Sequence, residues 1–203
     1  MKKYMFLVVL PFVFITGAHG FEVDESDPIQ LILMECRHPD GPTQADDLLA
    51  YAKAKGLSNA EMSAQLMRLA ELGLANDADA LQRRLSYGAL GGLAYFGGEN
   101  EKAFVRNVMK TTQDLVMRHI AARVGIRMMP EKWEEWVHEV ATDESLDDLT
   151  RFDAYEEAYR IGKNADKNVR QRVESVLSGL SEQDESRGNQ EHLRRWSAEL
   201  KQN

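Results

Sequence analysis

Apolar residues recur at helical spacing along almost the whole chain, and no segment shows the sustained apolar and polar alternation of a half-buried strand. The clearest case is the stripe of Trp133, Trp136, Val137 and Val140, which fall at i, i+3, i+4 and i+7 on one helix face. Because this spacing returns in segment after segment, we predict an all-α protein. Its helices should form stacked antiparallel pairs, arranged as a short α-solenoid or as an irregular helical bundle.

Local signals divide the helical pattern into separate helices. Ser58 with Glu61 three residues later is the signature of a capping box at a helix start. Gly56 just before it occupies the position where a left-handed residue ends the preceding helix. Only Gly56 and Leu57 separate these two helices, so they should fold back on one another as an αα-hairpin. Pro130 is predicted to open a later helix, because proline fits the first helical turn.

The first twenty residues, MKKYMFLVVLPFVFITGAHG, have the order of a secretory signal peptide: Lys2 and Lys3, an apolar run, then small residues. The apolar run is shorter than the roughly 17 to 25 residues that cross a bilayer as a helix. We therefore predict cleavage near Gly20 and Phe21, no stable membrane anchor afterwards, and a secreted or periplasmic location.

The chain divides into three predicted regions. Residues 1–20 are the signal peptide, residues 21–182 form an α-helical repeat-like domain, and residues 183–203 form a polar linker and a short C-terminal helix. That last helix offers only Leu193, Trp196 and Leu200 for packing, so we expect it to be the most mobile part of the fold.

Charge and cysteine content exclude some kinds of partner. Signal cleavage would remove two lysines and no acidic residue, taking the formal net charge from −8 to −10. Such a chain is repelled by the phosphate backbone, so nucleic acid is not an expected partner. Cys36 is the only cysteine and His38 lies nearby, but we interpret Cys36 as a buried residue rather than a nucleophile.

The stretch YGALGGLAYFGG, residues 87–98, is rich in glycine. It lacks the Lys-Ser or Lys-Thr of a phosphate-binding loop, and it is too short to span a membrane. Gly88 and Gly92 share one helix face, which predicts close approach of a neighbouring helix. Gly97 and Gly98 precede a polar segment and are predicted to end the helix.

Three segments can be superimposed as a repeat: YGALGGL at 87–93, RHIAARVGI at 118–126 and YEEAYRIG at 155–162. Their alanines, Ala89, Ala122 and Ala158, lie 33 and 36 residues apart. Over roughly residues 77–180 the chain resembles the HEAT-like family of α-helical repeats, although the third segment lacks an arginine in register. The matching residues are Arg84, Ala89, Leu90, Gly91 and Leu93 in one unit, and Arg118, Ala122, Val124, Gly125 and Ile126 in the next.

No nucleotide loop, zinc-binding helix or calcium loop is found in the sequence, so we expect no cofactor and no metal. Stacked helix pairs present an extended surface, which favours a noncatalytic scaffold for another protein or a peptide. The alternative is an envelope enzyme or a small-ligand-binding domain with a pocket between helices. Its candidate residues are Trp133, Trp136, His119 and His138.

Overall fold

The computed structural model describes residues 22–24, 26–35 and 42–202, and within them the chain is helical and contains no strand. The all-α prediction is confirmed. The predicted signal peptide, Cys36 and His38 lie outside the described residues. The helices are α1 Pro28–Glu35, α2 Pro42–Lys55, α3 Asn59–Leu72, α4 Ala80–Phe96, α5 Lys102–Thr111, α6 Leu115–Met128, α7 Trp133–Thr142, α8 Asp148–Asn164, α9 Lys167–Gln183 and α10 Arg187–Gln202.

The signals at the end of α2 and the start of α3 are confirmed, but the αα-hairpin is not, since α2 packs on α1 and α4 and α3 packs on α4. Gly56 has φ +66°, the left-handed conformation that ends α2. The Ser58 hydroxyl accepts a hydrogen bond from the Glu61 amide, and the Glu61 carboxylate accepts one from the Ser58 amide, so the capping box is complete. At Pro130 the structure differs, because Pro130–Lys132 forms a single 3₁₀ turn and α7 begins only at Trp133.

The helices pack as successive pairs: α3 with α4, α5 with α6, α7 with α8, and α9 with α10. The second helices of the pairs also pack on one another, α4 on α6 and α6 on α8, while α8 touches α10. Helices α1 and α2 pack against α4 and against each other. One continuous apolar core results, and it runs from Ile29 in α1 to Leu200 in α10.

The glycines of α4 make room for other helices. A Cβ placed on Gly88 would lie 2.2 Å from the carbonyl oxygen of Leu33, so the backbone of α1 rests directly on this residue. At Gly92 the nearest atoms belong to the side chains of Leu48 and Leu66, at 3.1 and 3.2 Å. The predicted close approach is confirmed at Gly88. Gly97 does end α4, but in an extended conformation with φ −74° rather than a left-handed one.

The C-terminal region differs from the expected linker and short helix. Residues 184–186 are the only connection between α9 and α10, and α10 is 16 residues long. Leu193, Trp196 and Leu200 are buried against the rest of the fold. The Trp196 ring stacks on Tyr159 of α8, with ring centroids 5.2 Å apart. This helix therefore closes the apolar core at the end of the stack.

Candidate functional site

The most regular surface of the molecule is the edge where α4, α6 and α8 begin. We call this edge the N-terminal rim and define it as loops 73–79, 112–114, 143–147 and 184–186 with the first turns of the helices that follow them. The second helices of three successive pairs begin there with an aspartate N-cap and carry an arginine four residues later: Asp79 and Arg83 in α4, Asp114 and Arg118 in α6, Asp147 and Arg151 in α8.

Each of these arginines reaches forward to the aspartate of the next loop. Arg83 lies 3.5 Å from the carboxylate of Asp114, and Arg118 lies 3.0 Å from that of Asp147. In the same way Arg151 lies 3.5 Å from the carboxylate of Asp184. At the last step, Asn189 of α10 donates to the carbonyl of Asp148 at 3.0 Å. These contacts hold the beginnings of the four helices side by side.

Two tyrosines add hydrogen bonds to the aspartates that join the beginnings of neighbouring helices. The Tyr87 hydroxyl donates to Asp114 at 2.7 Å, and the Tyr155 hydroxyl donates to Asp184 at 2.7 Å. Burial and the neighbouring carboxylate raise the pKa of Tyr87 to about 12 and also raise the pKa of Tyr155. Both hydroxyls therefore remain protonated donors at neutral pH.

The rim defines a repeat with a different register from the one read in the sequence. Counted from the aspartate caps, Ala89, Ala122 and Ala158 stand at offsets of 10, 8 and 11 residues, so they are not equivalent. Arg84 is exposed, whereas its neighbour Arg83 makes the contact between units. The third unit does carry an arginine in register, Arg151, which the alanine-based alignment missed. The recurring signal is an aspartate followed four residues later by arginine.

A row of exposed aliphatic side chains follows the rim. Leu81, Val116 and Leu149 each stand two residues after an aspartate cap and are 45, 49 and 61% exposed. Leu115, beside Val116, is 55% exposed. Single exposed leucines are ordinary on protein surfaces, but here the same helix position is apolar and exposed in three stacked helices. We call Leu81, Leu115, Val116 and Leu149 the aliphatic row.

The loops of the rim are acidic. Together they hold eight aspartates and glutamates and no lysine or arginine. The loops at the other ends of the pairs, 56–58, 97–101, 129–132 and 165–166, hold four acids and one lysine. At least four of the eight are in ion pairs: Asp143 with Lys110 at 2.8 Å, and Asp114, Asp147 and Asp184 with the arginines of the rim. Glu144 and Glu185 are exposed, and acids still outnumber arginines when the first turns are included. The aliphatic row is therefore bordered by negative charge.

The four residues proposed from the sequence as a pocket lie in different settings. Trp133 and Trp136 are buried in the core, and the Trp136 indole donates to the carbonyl of Ala122 at 2.9 Å. His119 is half-buried, with Nδ1 3.2 Å from Asp153, and His138 is exposed. The tryptophan rings are thus not presented as a stacking surface.

Two of the surface hollows formed by the described residues have volumes of about 470 and 490 Å³, and none of the four residues lines either of these two. Among the described residues, no group of three or more histidine, cysteine, aspartate or glutamate side chains is placed to hold a metal ion. The hollows are lined by Lys110, Glu139, Thr142, Asp143, Glu144 and Ser145, and by Tyr159, Lys163, Arg170, Glu199, Leu200 and Gln202.

The contribution of the Arg118–Asp147 contact, in the middle of the rim, to the free energy of unfolding is expected to depend on pH. Although burial favours its neutral form, hydrogen bonds from Thr150 and Arg118 hold the pKa of Asp147 below its ordinary value. Because the pKa of Asp147 is lower in the folded protein than in the unfolded chain, the ionised carboxylate stabilises the fold at pH values above the unfolded-state pKa. This stabilisation is lost as the pH falls through the folded-state pKa. We expect Asp147→Asn to lower the free energy of unfolding by about 1 kcal/mol at pH 7, and less below pH 4.

Urea unfolding measured between pH 3 and pH 7 checks this expectation. Asp148→Asn is the matched control, since Asp148 is exposed and pairs only with Arg151 of its own helix. A loss of stability that is the same for Asp147→Asn at pH 3 and at pH 7 contradicts the role of its charge.

Comparison of the chain with known protein families, with curated proteins and with solved structures finds no match in any of the three. Separately, none of the helices in the described part of the chain combines the length and apolar character needed to cross a membrane.

Proposed function

We propose that this protein is an exported, noncatalytic α-helical repeat protein that acts as a scaffold for another protein or a peptide in the cell envelope or outside the cell. The observation that carries the proposal is the aliphatic row, where one helix position is apolar and exposed in three stacked helices. The arginine and aspartate contacts between units support it, because they fix the row as one continuous edge. A HEAT-like relationship is part of the same proposal.

The alternative, an envelope enzyme or small-ligand-binding domain, has less support. It needs Trp133, Trp136, His119 and His138 around one open pocket. The two tryptophans are buried, and neither described hollow includes any of the four residues. No observation at these positions favours a bound small molecule.

Site-specific photo-crosslinking in cells that make the full chain tests the scaffold proposal. A photoreactive phenylalanine analogue at Val116 is expected to yield one discrete crosslinked product of defined mass. The same analogue at Lys163 is the control, because Lys163 is exposed at the far end of α8. If Val116 and Lys163 give the same products, or neither gives any, the scaffold proposal fails.

Export has its own expected result. Intact mass measurement of the protein recovered from the envelope or the medium should give a chain that begins at Phe21. Recovery of the full 203-residue chain from the cytoplasm alone would contradict export.

A further inference from the structure

We propose that the aliphatic row binds an amphipathic helix whose apolar face is flanked by lysine or arginine, supplied by the partner. This inference rests on the proposed scaffold function, and it names the surface and the chemistry of what binds there.

The spacing of the row fits a helix laid across it. Packed helices lie 8 to 10 Å apart, and α4 packs on α6 and α6 on α8, so we expect Leu81, Val116 and Leu149 to recur at about that interval along the rim. A helix advances about 10.5 Å in seven residues, and residues seven apart share one face. Aliphatic side chains one heptad apart would therefore meet successive positions of the row. The adjacent pair of Leu115 and Val116 gives a wider contact at the centre.

An extended peptide fits less well. Successive side chains of a strand point to opposite faces, and residues three apart, which span about 10 Å, lie on different faces. Such a peptide could not place an apolar side chain at each position of the row in one orientation.

The charge around the row selects a basic partner. With the first turns included, the rim holds nine acids and four arginines, so acid remains in excess although three of the arginines are paired with rim aspartates. The carboxylates of Glu144 and Glu185 are exposed on two of its loops. The carboxylate of Asp148, beside Leu149, is paired with Arg151 at 2.6 Å but remains 58% exposed. Lysine and arginine can lay their aliphatic stems on apolar surface while their charges reach outward to such carboxylates. An acidic helix would meet like charge along the same edge.

Fluorescence anisotropy with defined peptides tests the inference on residues 21–203. The probe is a three-heptad helix with leucine on one face and lysine on both flanks, and its counterpart carries glutamate in place of lysine. The lysine peptide should bind and the glutamate peptide should not. In the variant Leu81→Ser/Val116→Ser/Leu149→Ser, affinity for the lysine peptide is expected to fall about tenfold or more.

The control variant is Leu31→Ser/Leu49→Ser, which removes two exposed leucines of α1 and α2 that lie outside the row. It should change the affinity less than about twofold. Circular dichroism melts of both variants show whether the fold is retained. Backbone amide NMR shifts of the wild-type protein, measured with and without the peptide, locate the binding surface even if one variant unfolds. Shift changes should cluster at the beginnings of α4, α6 and α8.

Two results overturn the inference: equal binding of the lysine peptide by the wild type and the row variant, or shift changes centred on another surface. The scaffold proposal would then still depend on the crosslinks at Val116. If instead the peptide binds at the row and Val116 gives no crosslink in cells, the scaffold proposal fails while the chemistry of the surface is supported.

Discussion

Replacing Gly125 with alanine is expected to lower the free energy of unfolding by about 2 to 4 kcal/mol. A Cβ at this position would lie 2.0 Å from Cε2 and 2.1 Å from Cζ2 of the Trp136 indole. Trp136 is only 1% exposed, and its indole nitrogen donates to the Ala122 carbonyl of the same helix as Gly125. The ring is buried, so the added methyl group must displace it within the core and is expected to break its hydrogen bond.

Urea unfolding followed by tryptophan fluorescence measures this loss. The matched control is Gly179→Ala in α9, where no atom lies within 4 Å of an added Cβ. Because alanine is the better helix former, the control should be as stable as the wild type or more stable by up to about 1 kcal/mol. Equal destabilisation by both substitutions would show that the contact with Trp136 is not the cause.

Repeating the Gly125 substitution in a Trp136→Leu variant separates the steric clash with the indole from other effects of the added methyl group. In Trp136→Leu the indole is absent, so adding alanine at Gly125 should cost much less than it does in the wild type. Residues in direct contact are expected to show such non-additivity. Strictly additive losses in the double variant would contradict the account.

The helices themselves could be predicted from the sequence because their signals are local. The stripe of Trp133, Trp136, Val137 and Val140 and the capping box of Ser58 depend only on residues within two turns. The sequence also predicts that another helix approaches α4 closely at Gly88. The identity of the neighbour could not be predicted, because α1 lies more than fifty residues earlier in the chain.

The register of the repeat was missed because it depends on contacts between units. Arg83 is joined to Asp114, 31 residues on, and Arg151 is joined to Asp184, 33 residues on. Alanine and glycine are common in any tightly packed helix, so an alignment on these residues matches positions that are not structurally equivalent. The aspartate and arginine four residues apart mark the register in α4, α6 and α8, but Asp166 and Arg170 show the same spacing in α9, which begins at the opposite edge, so the spacing alone does not identify the units.

The aliphatic row was also hidden in the sequence. Leu81 and Leu149 look like core positions, because an apolar residue in the first turn of a helix matches the periodic pattern. Only the stacking of α4, α6 and α8 decides which side of each first turn faces solvent. The tryptophans show the opposite case, since they lie on the periodic apolar face of α7 and the structure buries both.

Replacing Gly88 with alanine is expected to detach α1 while leaving the rest of the stack folded. The added Cβ would lie 2.2 Å from the carbonyl oxygen of Leu33 and 2.9 Å from its carbonyl carbon. These are backbone atoms, so no side-chain rotation can relieve the contact and the whole of α1 must shift. Ile29, Leu33 and Met34 would then lose their packing against the core. We expect a net loss of about 1 to 3 kcal/mol.

Hydrogen exchange measured peptide by peptide distinguishes this outcome from general unfolding. In Gly88→Ala the amides of α1 should exchange faster by tenfold or more, a ratio that corresponds to about 1.4 kcal/mol, while those of α6 and α8 keep their protection. Gly92→Ala is the comparison on the same helix face, since its neighbours are flexible leucine side chains at 3.1 and 3.2 Å, which can adjust. It should leave α1 protected. If Gly88→Ala also leaves α1 protected, or if all helices exchange faster together, the space at Gly88 is not what allows α1 to pack against α4.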